Sequence, residues 1–74
     1  MDLDQLISQA YRLGSIDRLA GRPARDMAGD DSAWLMTELG QDSPTTAANH
    51  ADRVAMCDAY LDGWHDSDSA LRDN

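Results

Sequence analysis

The chain has 74 residues and a net charge of −8, so it forms one small domain over residues 1–74 that buries only about 60% of the surface of its unfolded chain. Its acidic residues are thirteen Asp and the single Glu38, and all six basic residues are Arg. This charge disfavours binding to nucleic acid and favours a basic protein surface. The single cysteine, Cys57, excludes an internal disulfide.

The first segment carries the three- and four-residue spacing of an amphipathic helix. The positions on its predicted core face are Leu3, Leu6, Ala10, Leu13, Asp17 and Ala20. Asp2 is a candidate N-cap, and Gly21 followed by Arg22-Pro23 predicts the helix end. Residues 22–31 are then expected to form a loop.

A short second helix is predicted from Ser32 to Leu39, with Gly40 closing it. Trp34, Leu35 and Leu39 would attach this helix to the core. The sequence leaves a second role open for Trp34, because tryptophan is also enriched at the centres of protein interfaces.

The third helix has the clearest predicted start, with Ser43 as N-cap and Pro44 at the first helical position. One stripe of positions continues along it: His50, Val54, Cys57, Leu61, Trp64, Asp68 and Leu71. No segment alternates as a strand does. The sequence therefore predicts an all-α bundle of two longer helices and one short helix, with the long pair forming a helical hairpin.

The pattern A-Y-x-x-G-x-x-D occurs twice, at Ala10–Asp17 and at Ala59–Asp66. At 100° per residue, Gly14 lies within about 40° of the centre of its predicted core stripe, and Gly63 lies about 120° from that of the third helix. This difference argues against two equivalent units. Each glycine costs its helix about 1 kcal/mol, which we interpret as a sign of close helix approach rather than of ligand contact.

The same stretches resemble the ribosome modulation factor family of small helical proteins. The family has an Ala-aromatic-x-x-Gly segment leading to Gly-Arg, which looks like Ala10-Tyr11, Gly14 and Gly21-Arg22 here. The family's closing aromatic-x-x-Gly-aromatic segment is similar to residues 60–64. The resemblance covers about a quarter of the chain. It implies a small helical fold and a ribosome-associated role with contact to ribosomal RNA.

No pattern predicts catalysis, a cofactor or a bound metal. His50 and His65 are fifteen residues apart, about 22 Å along one helix, which does not match a metal-binding spacing. Cys57 lies in the apolar stripe, where a lone thiol is usually a small buried hydrophobe. We therefore expect a protein that is not an enzyme.

The most distinctive charged feature is a row of three aspartates, Asp58, Asp62 and Asp66, spaced four residues apart. Residues at this spacing stack on one helix face, where like charges repel. Asp52 and Asp68 extend the acidic field on neighbouring faces. The row is interpreted either as a partner-binding surface or as a solvated face. A further alternative is that it pairs with Arg12, Arg18 and Arg22, if the first helix packs antiparallel.

The favoured hypothesis is a protein-binding inhibitor that occupies the basic nucleic-acid-binding surface of a partner. In size and acidity the chain is similar to small phage or mobile-element inhibitors, such as anti-CRISPR and anti-restriction proteins. Trp34, Tyr60 or Trp64 would supply an apolar anchor. The alternatives are a ribosome-associated or regulatory protein of the ribosome modulation factor type, and a structural subunit that forms a homodimer.

The expected location is the cytoplasm, or the host cell's cytoplasm if the chain is encoded by a phage. The sequence begins MDLDQL, which is acidic where a signal peptide would be basic. No apolar run is long enough to span a bilayer.

Overall fold

The computed structural model describes residues 3–27, 31–41 and 49–73, and the helices in these ranges confirm the all-α prediction. Helix α1 spans Leu3–Leu19, α2 spans Asp31–Glu38 and α3 spans His50–Arg72. Two helices are long, with 17 and 23 residues, and one is short, with eight. The described ranges contain no strand.

Helices α1 and α2 both end at a glycine, as predicted. Gly21 and Gly40 have φ angles of 80° and 72°, a left-handed conformation that side chains with a Cβ rarely adopt. At each end the next amide donates to a carbonyl five residues earlier, Arg22 to Asp17 at 2.9 Å and Gln41 to Met36 at 2.8 Å. This pattern satisfies carbonyls that the helix end would otherwise leave unpaired.

Helix α3 begins later than the sequence indicates. Asn49 has an extended backbone, and its side chain accepts a hydrogen bond from the Asp52 amide, which makes it the N-cap. The predicted cap at Ser43 and the proline at position 44 lie outside the described residues, as does Asp2. Because residue 49 is not helical, the prediction of one continuous helix from Pro44 is wrong.

The two long helices meet through backbone contact at two glycines. A Cβ atom placed on Gly14 would overlap the carbonyl oxygen of Tyr60 and lie 2.8 Å from the Trp64 nitrogen. A Cβ atom on Gly63 would overlap the carbonyl oxygen of Tyr11. No residue other than glycine allows this approach, so the interpretation of the glycines as sites of close helix contact is confirmed.

Helices α1 and α3 run in the same direction where they touch. Gly14 lies against the turn from Tyr60 to Trp64, and one turn further along α1 the Arg18 Nε atom bonds to Asp68 Oδ1 at 2.8 Å. Advancing along α1 therefore advances along α3. The predicted hairpin, in which the two long helices would run in opposite directions, is therefore wrong.

The two A-Y-x-x-G-x-x-D copies form equivalent contacts, contrary to the prediction from their helical phases. The Tyr11 hydroxyl donates to Asp66 of the second copy, and the Tyr60 hydroxyl donates to Asp17 of the first. The glycine contacts are reciprocal in the same way, Gly14 with Tyr60 and Gly63 with Tyr11. The two copies of the repeat are thus related by an approximate twofold axis at the contact between α1 and α3.

Helix α3 buries a different face from the predicted stripe, so the helical phase of Gly63 differs from the predicted one. Its buried residues are Met56, Cys57, Ala59, Tyr60 and Gly63. Val54 and Leu71, which belong to the predicted core stripe, are each 45% exposed. Gly63 therefore lies within the buried face rather than far from it.

Helix α2 supplies the apolar residues that the thin α1–α3 contact lacks. Leu35 and Leu39 are buried, and Trp34 packs against the core, as predicted for all three. Among the described residues, the buried core comprises Leu6, Ala10, Leu35, Met36, Leu39, Met56, Cys57, Ala59 and Tyr60. The one aromatic ring in this described core is that of Tyr60, so close backbone packing replaces large side chains.

We expect Gly14→Ala or Gly63→Ala to lower the free energy of unfolding by about 2–3 kcal/mol, because the new methyl group must displace backbone. At an exposed helical position the same change would raise it by about 1 kcal/mol. Urea denaturation followed by circular dichroism measures the difference. Ser8→Ala, at an exposed position of α1, is the control and should change stability little. Stabilisation by Gly14→Ala would contradict the close contact.

Candidate functional site

The acidic row lies on the solvent-exposed side of α3. Asp58, Asp62 and Asp66 are all exposed, and successive members rise about 6 Å along the helix axis. Within the described ranges none of the three forms an ion pair with Arg12, Arg18 or Arg22. The alternative in which arginines of the first helix neutralise the row is therefore wrong for the described structure.

Asp66, at the end of the row, contacts the neighbouring helix. Its Oδ2 atom accepts a hydrogen bond from the Tyr11 hydroxyl at 2.7 Å. This bond to Asp66 is the main cause of the raised pKa of Tyr11, and the charge of Asp62 adds to the shift. The row therefore continues, at this end, into a surface shared by α1 and α3.

Asp68 and Asp52, which lie on neighbouring faces, are less exposed than the three aspartates of the row. Asp68 forms ion pairs with Arg18 at 2.8 Å and Arg72 at 2.9 Å, and the hydrogen bond from Arg18 is the main cause of its lowered pKa. Asp52 is half-buried in the first turn of α3. Asp68 thus ties the two long helices together, which leaves its charge neutralised within the chain.

Tyr60 lies in the core and offers no surface to a partner. Its side chain is 0% exposed, and its hydroxyl donates to Asp17, which is itself 3% exposed. Burial, with a smaller contribution from the hydrogen bond to Asp17, raises the pKa of Tyr60 to about 12. The prediction of Tyr60 as a partner anchor is corrected: the ring fills space that α1, α2 and α3 share.

The Asp17 carboxylate forms ion pairs with two arginines of the loop after α1. The Arg25 Nε atom bonds to Oδ2 at 3.0 Å, and the Arg22 Nη1 atom lies 3.4 Å from Oδ1. Burial raises the pKa of Asp17, but the Tyr60 hydroxyl and Arg25 outweigh it, so the net pKa is lowered. The sequence signal for this centre was an aspartate at a core position, with arginines in the loop that follows.

Trp34 covers this buried centre from α2. Its ring stacks edge-on against Tyr60 with centroids 6.0 Å apart, and the Arg25 guanidinium lies 3.7 Å from the ring centroid. A guanidinium group placed above an aromatic ring is attracted to it by a cation–π interaction. Trp34 is half-buried, and its contacts make it a structural cover for the Asp17–Tyr60 pair.

Trp64 holds the turn after α1 against α3. Its Nε1 atom donates to the Arg22 carbonyl at 3.0 Å, and the Arg18 guanidinium lies 5.7 Å from its ring. The ring also meets His65 edge-on at 5.2 Å. Trp64 is half-buried, so part of its surface remains accessible beside the turn.

An apolar groove lies next to the acidic row, between α2 and α3. It has a volume of about 550 Å³ and is lined by residues that include Met27, Met36, Val54, Cys57 and Leu61, with Asp58 at its edge. Val54 is 45% exposed. The sequence predicts core positions for Val54 and Leu61, and only the position of α2 reveals that they border an open groove.

The remaining candidate groups have simple placements. Cys57 is buried, and burial is the main cause of its raised pKa. Across residues 3–27, 31–41 and 49–73, no three His, Cys, Asp or Glu residues cluster as metal ligands do. None of the helices in these ranges is both long enough and apolar enough to cross a membrane.

No family model, curated protein or solved structure matches this chain. The resemblance to the ribosome modulation factor family therefore stays a prediction. Its residues Tyr11, Gly14, Gly63 and Trp64 all lie where α1 meets α3.

We expect Asp17→Asn to lower the free energy of unfolding at pH 7 by about 2 kcal/mol, because a carboxylate bonded to Tyr60 and Arg25 is lost. The folded pKa of Asp17 is lowered, so its stabilisation is present above the unfolded value of about 3.9. This stabilisation disappears as the pH falls from that value through the folded pKa. Between pH 7 and pH 2.5 the free energy of unfolding, measured with urea, should therefore fall less steeply in Asp17→Asn than in wild type.

The control for this series is Asp58→Asn, which removes an exposed carboxylate. Its free energy of unfolding should fall with pH as steeply as that of the wild-type protein. An equally steep fall in Asp17→Asn would contradict the role given to the buried pair of Asp17 and Tyr60.

Proposed function

We propose that this protein is a non-catalytic inhibitor that binds the basic, nucleic-acid-binding surface of a partner protein through the acidic row of α3. Asp58, Asp62 and Asp66 make the electrostatic contact. The observation that carries the proposal is the exposure of all three carboxylates on one face of a helix. Like charges at this spacing destabilise a helix, so their clustering on one face favours a role in binding over a role in stability.

The electrostatic environment of the row supports this proposal. In the described structure the carboxylates of Asp58 and Asp62 have neither an ion pair nor a hydrogen-bond donor. Elsewhere the chain neutralises Asp17 and Asp68 with its own arginines. The acids of the row are therefore available to an external basic surface, which their field would attract from a distance.

The rigidity of α3 also supports binding through the row. Gly63 lies between Asp62 and Trp64 and is packed against the α1 backbone, so the helix that carries the row is held along its inner side. Aspartate adds to this, because its short side chain loses less conformational entropy on docking than glutamate would. A preorganised row lowers the cost of forming a complex.

The apolar part of the contact is assigned to Val54 and Leu61 rather than to Tyr60. These two residues line the groove beside Asp58, so a partner that covers the row also reaches them. Trp64, which is half-buried, packs against the turn after α1. Basic partners with an apolar residue next to their cationic patch would gain from both parts of this surface.

We expect the double variant Asp58→Asn, Asp62→Asn to lose capture of a nucleic-acid-binding protein by the immobilised chain. Capture by the wild-type chain should weaken as the salt concentration rises from about 0.05 to 0.3 M, because screening shortens the reach of surface charge. Added DNA should release the captured protein from the wild-type chain, since both would compete for one basic surface. Quantitative mass spectrometry of the eluates measures each effect.

The matched control is Glu38→Gln, Asp73→Asn. Glu38 and Asp73 are exposed and lie outside the row, and the control removes the same two negative charges. Equal capture by the row variant and the wild-type chain would contradict the proposal. Loss of capture by both double variants would also contradict it, since net charge rather than the row would then be responsible.

A further inference from the structure

The twofold arrangement of the repeat contains two Tyr–Asp pairs in different states. In the closed pair, Tyr60 bonds to Asp17, and that carboxylate also accepts from Arg25 at 3.0 Å. The Arg22 guanidinium lies 3.4 Å from its other oxygen. In this half of the repeat, the Tyr–Asp pair is therefore a binding site for guanidinium groups that the chain itself supplies.

The open pair has the same hydroxyl-to-carboxylate bond without an arginine. Tyr11 bonds to Asp66 Oδ2 at 2.7 Å, and Tyr11 is 39% exposed. Within the described residues no arginine contacts Asp66, and its Oδ1 atom has no hydrogen-bond donor. Asp66 stands at the repeat position of Asp17, and Tyr11 stands at that of Tyr60.

The arginines of α1 do not occupy the open pair. Arg12 directly follows Tyr11 and is exposed, with no ion pair in the described structure. Arg18 is bonded to Asp68. The open pair thus keeps a carboxylate that is already oriented by its tyrosine and faces solvent.

From this equivalence we propose that Tyr11 and Asp66 bind an arginine side chain of the partner, whose guanidinium donates to Asp66 as that of Arg25 donates to Asp17. This inference rests on the proposed function and deepens it, because it names the type of residue that docks at one end of the acidic row. The partner's guanidinium donates to Asp66, and Asp62 adds attraction from the preceding turn. Arginine is favoured over lysine because its planar group can donate two parallel bonds to a carboxylate and stack on a tyrosine ring.

The test uses two fluorescent peptides, hexa-arginine and hexa-lysine, titrated with the full chain at low salt. We expect the wild-type chain to bind hexa-arginine about fivefold more tightly than hexa-lysine. Asp66→Asn should bring the ratio of the two affinities close to one. Tyr11→Phe should lower the ratio while leaving hexa-lysine affinity unchanged, because it removes only the hydroxyl that orients Asp66.

Asp58→Asn is the matched control, since it removes one exposed charge of the same row. It should weaken both peptides by a similar factor and keep their ratio. Circular dichroism at each titration temperature verifies that the variants are folded, which is expected because both pair members are partly or fully exposed.

Three results would overturn the arginine site. Equal affinity of the wild-type chain for the two peptides would overturn it and leave the proposed function standing, because the row would then attract any cation. An unchanged ratio in Asp66→Asn would overturn it in the same way. If neither peptide bound at low salt, the proposed function would fail together with the arginine site.

Discussion

The backbone contact at Gly14 and Gly63 is the constraint on which the other features of the fold depend. It brings α1 and α3 so close that Tyr11 and Tyr60 each reach an aspartate on the opposite helix. A chain without phenylalanine has few large side chains with which to fill a wider gap between helices. Close approach therefore replaces bulk, and hydrogen bonds from the two tyrosines fix the register of the helices.

The two halves of the repeat differ because α2 packs on one side of this contact. On that side Trp34 and Arg25 cover Tyr60 and Asp17, so a polar pair becomes the buried centre of the molecule. On the other side the equivalent pair stays at the surface, next to the exposed aspartates of α3. One structural unit used twice thus provides a core element in one half and, in our proposal, a binding element in the other.

The sequence predicted features that depend on local chemistry. Gly21 and Gly40 end their helices because the left-handed conformation favours glycine, and the two interior glycines indicated close approach. The buried face of α3 was not predictable in this way, because several stripes along it fit a helical period equally well. The choice among them depends on α1 and α2 together, which contact α3 from different directions. Likewise, the ion pair of Arg25 with Asp17 joins a loop to a core position, so helical periodicity does not reveal it.

The most direct test of the account is a set of nuclear Overhauser measurements between α1 and α3 in solution. Backbone contact at the glycines predicts cross-peaks from the Hα protons of Gly14 to Tyr60 and Trp64, and from those of Gly63 to Tyr11. Further along both helices, it predicts contacts between Arg18 and Asp68. If the start of α1 instead contacted the end of α3, as in a hairpin, the parallel glycine contact would be contradicted, and with it the equivalence of the two Tyr–Asp pairs.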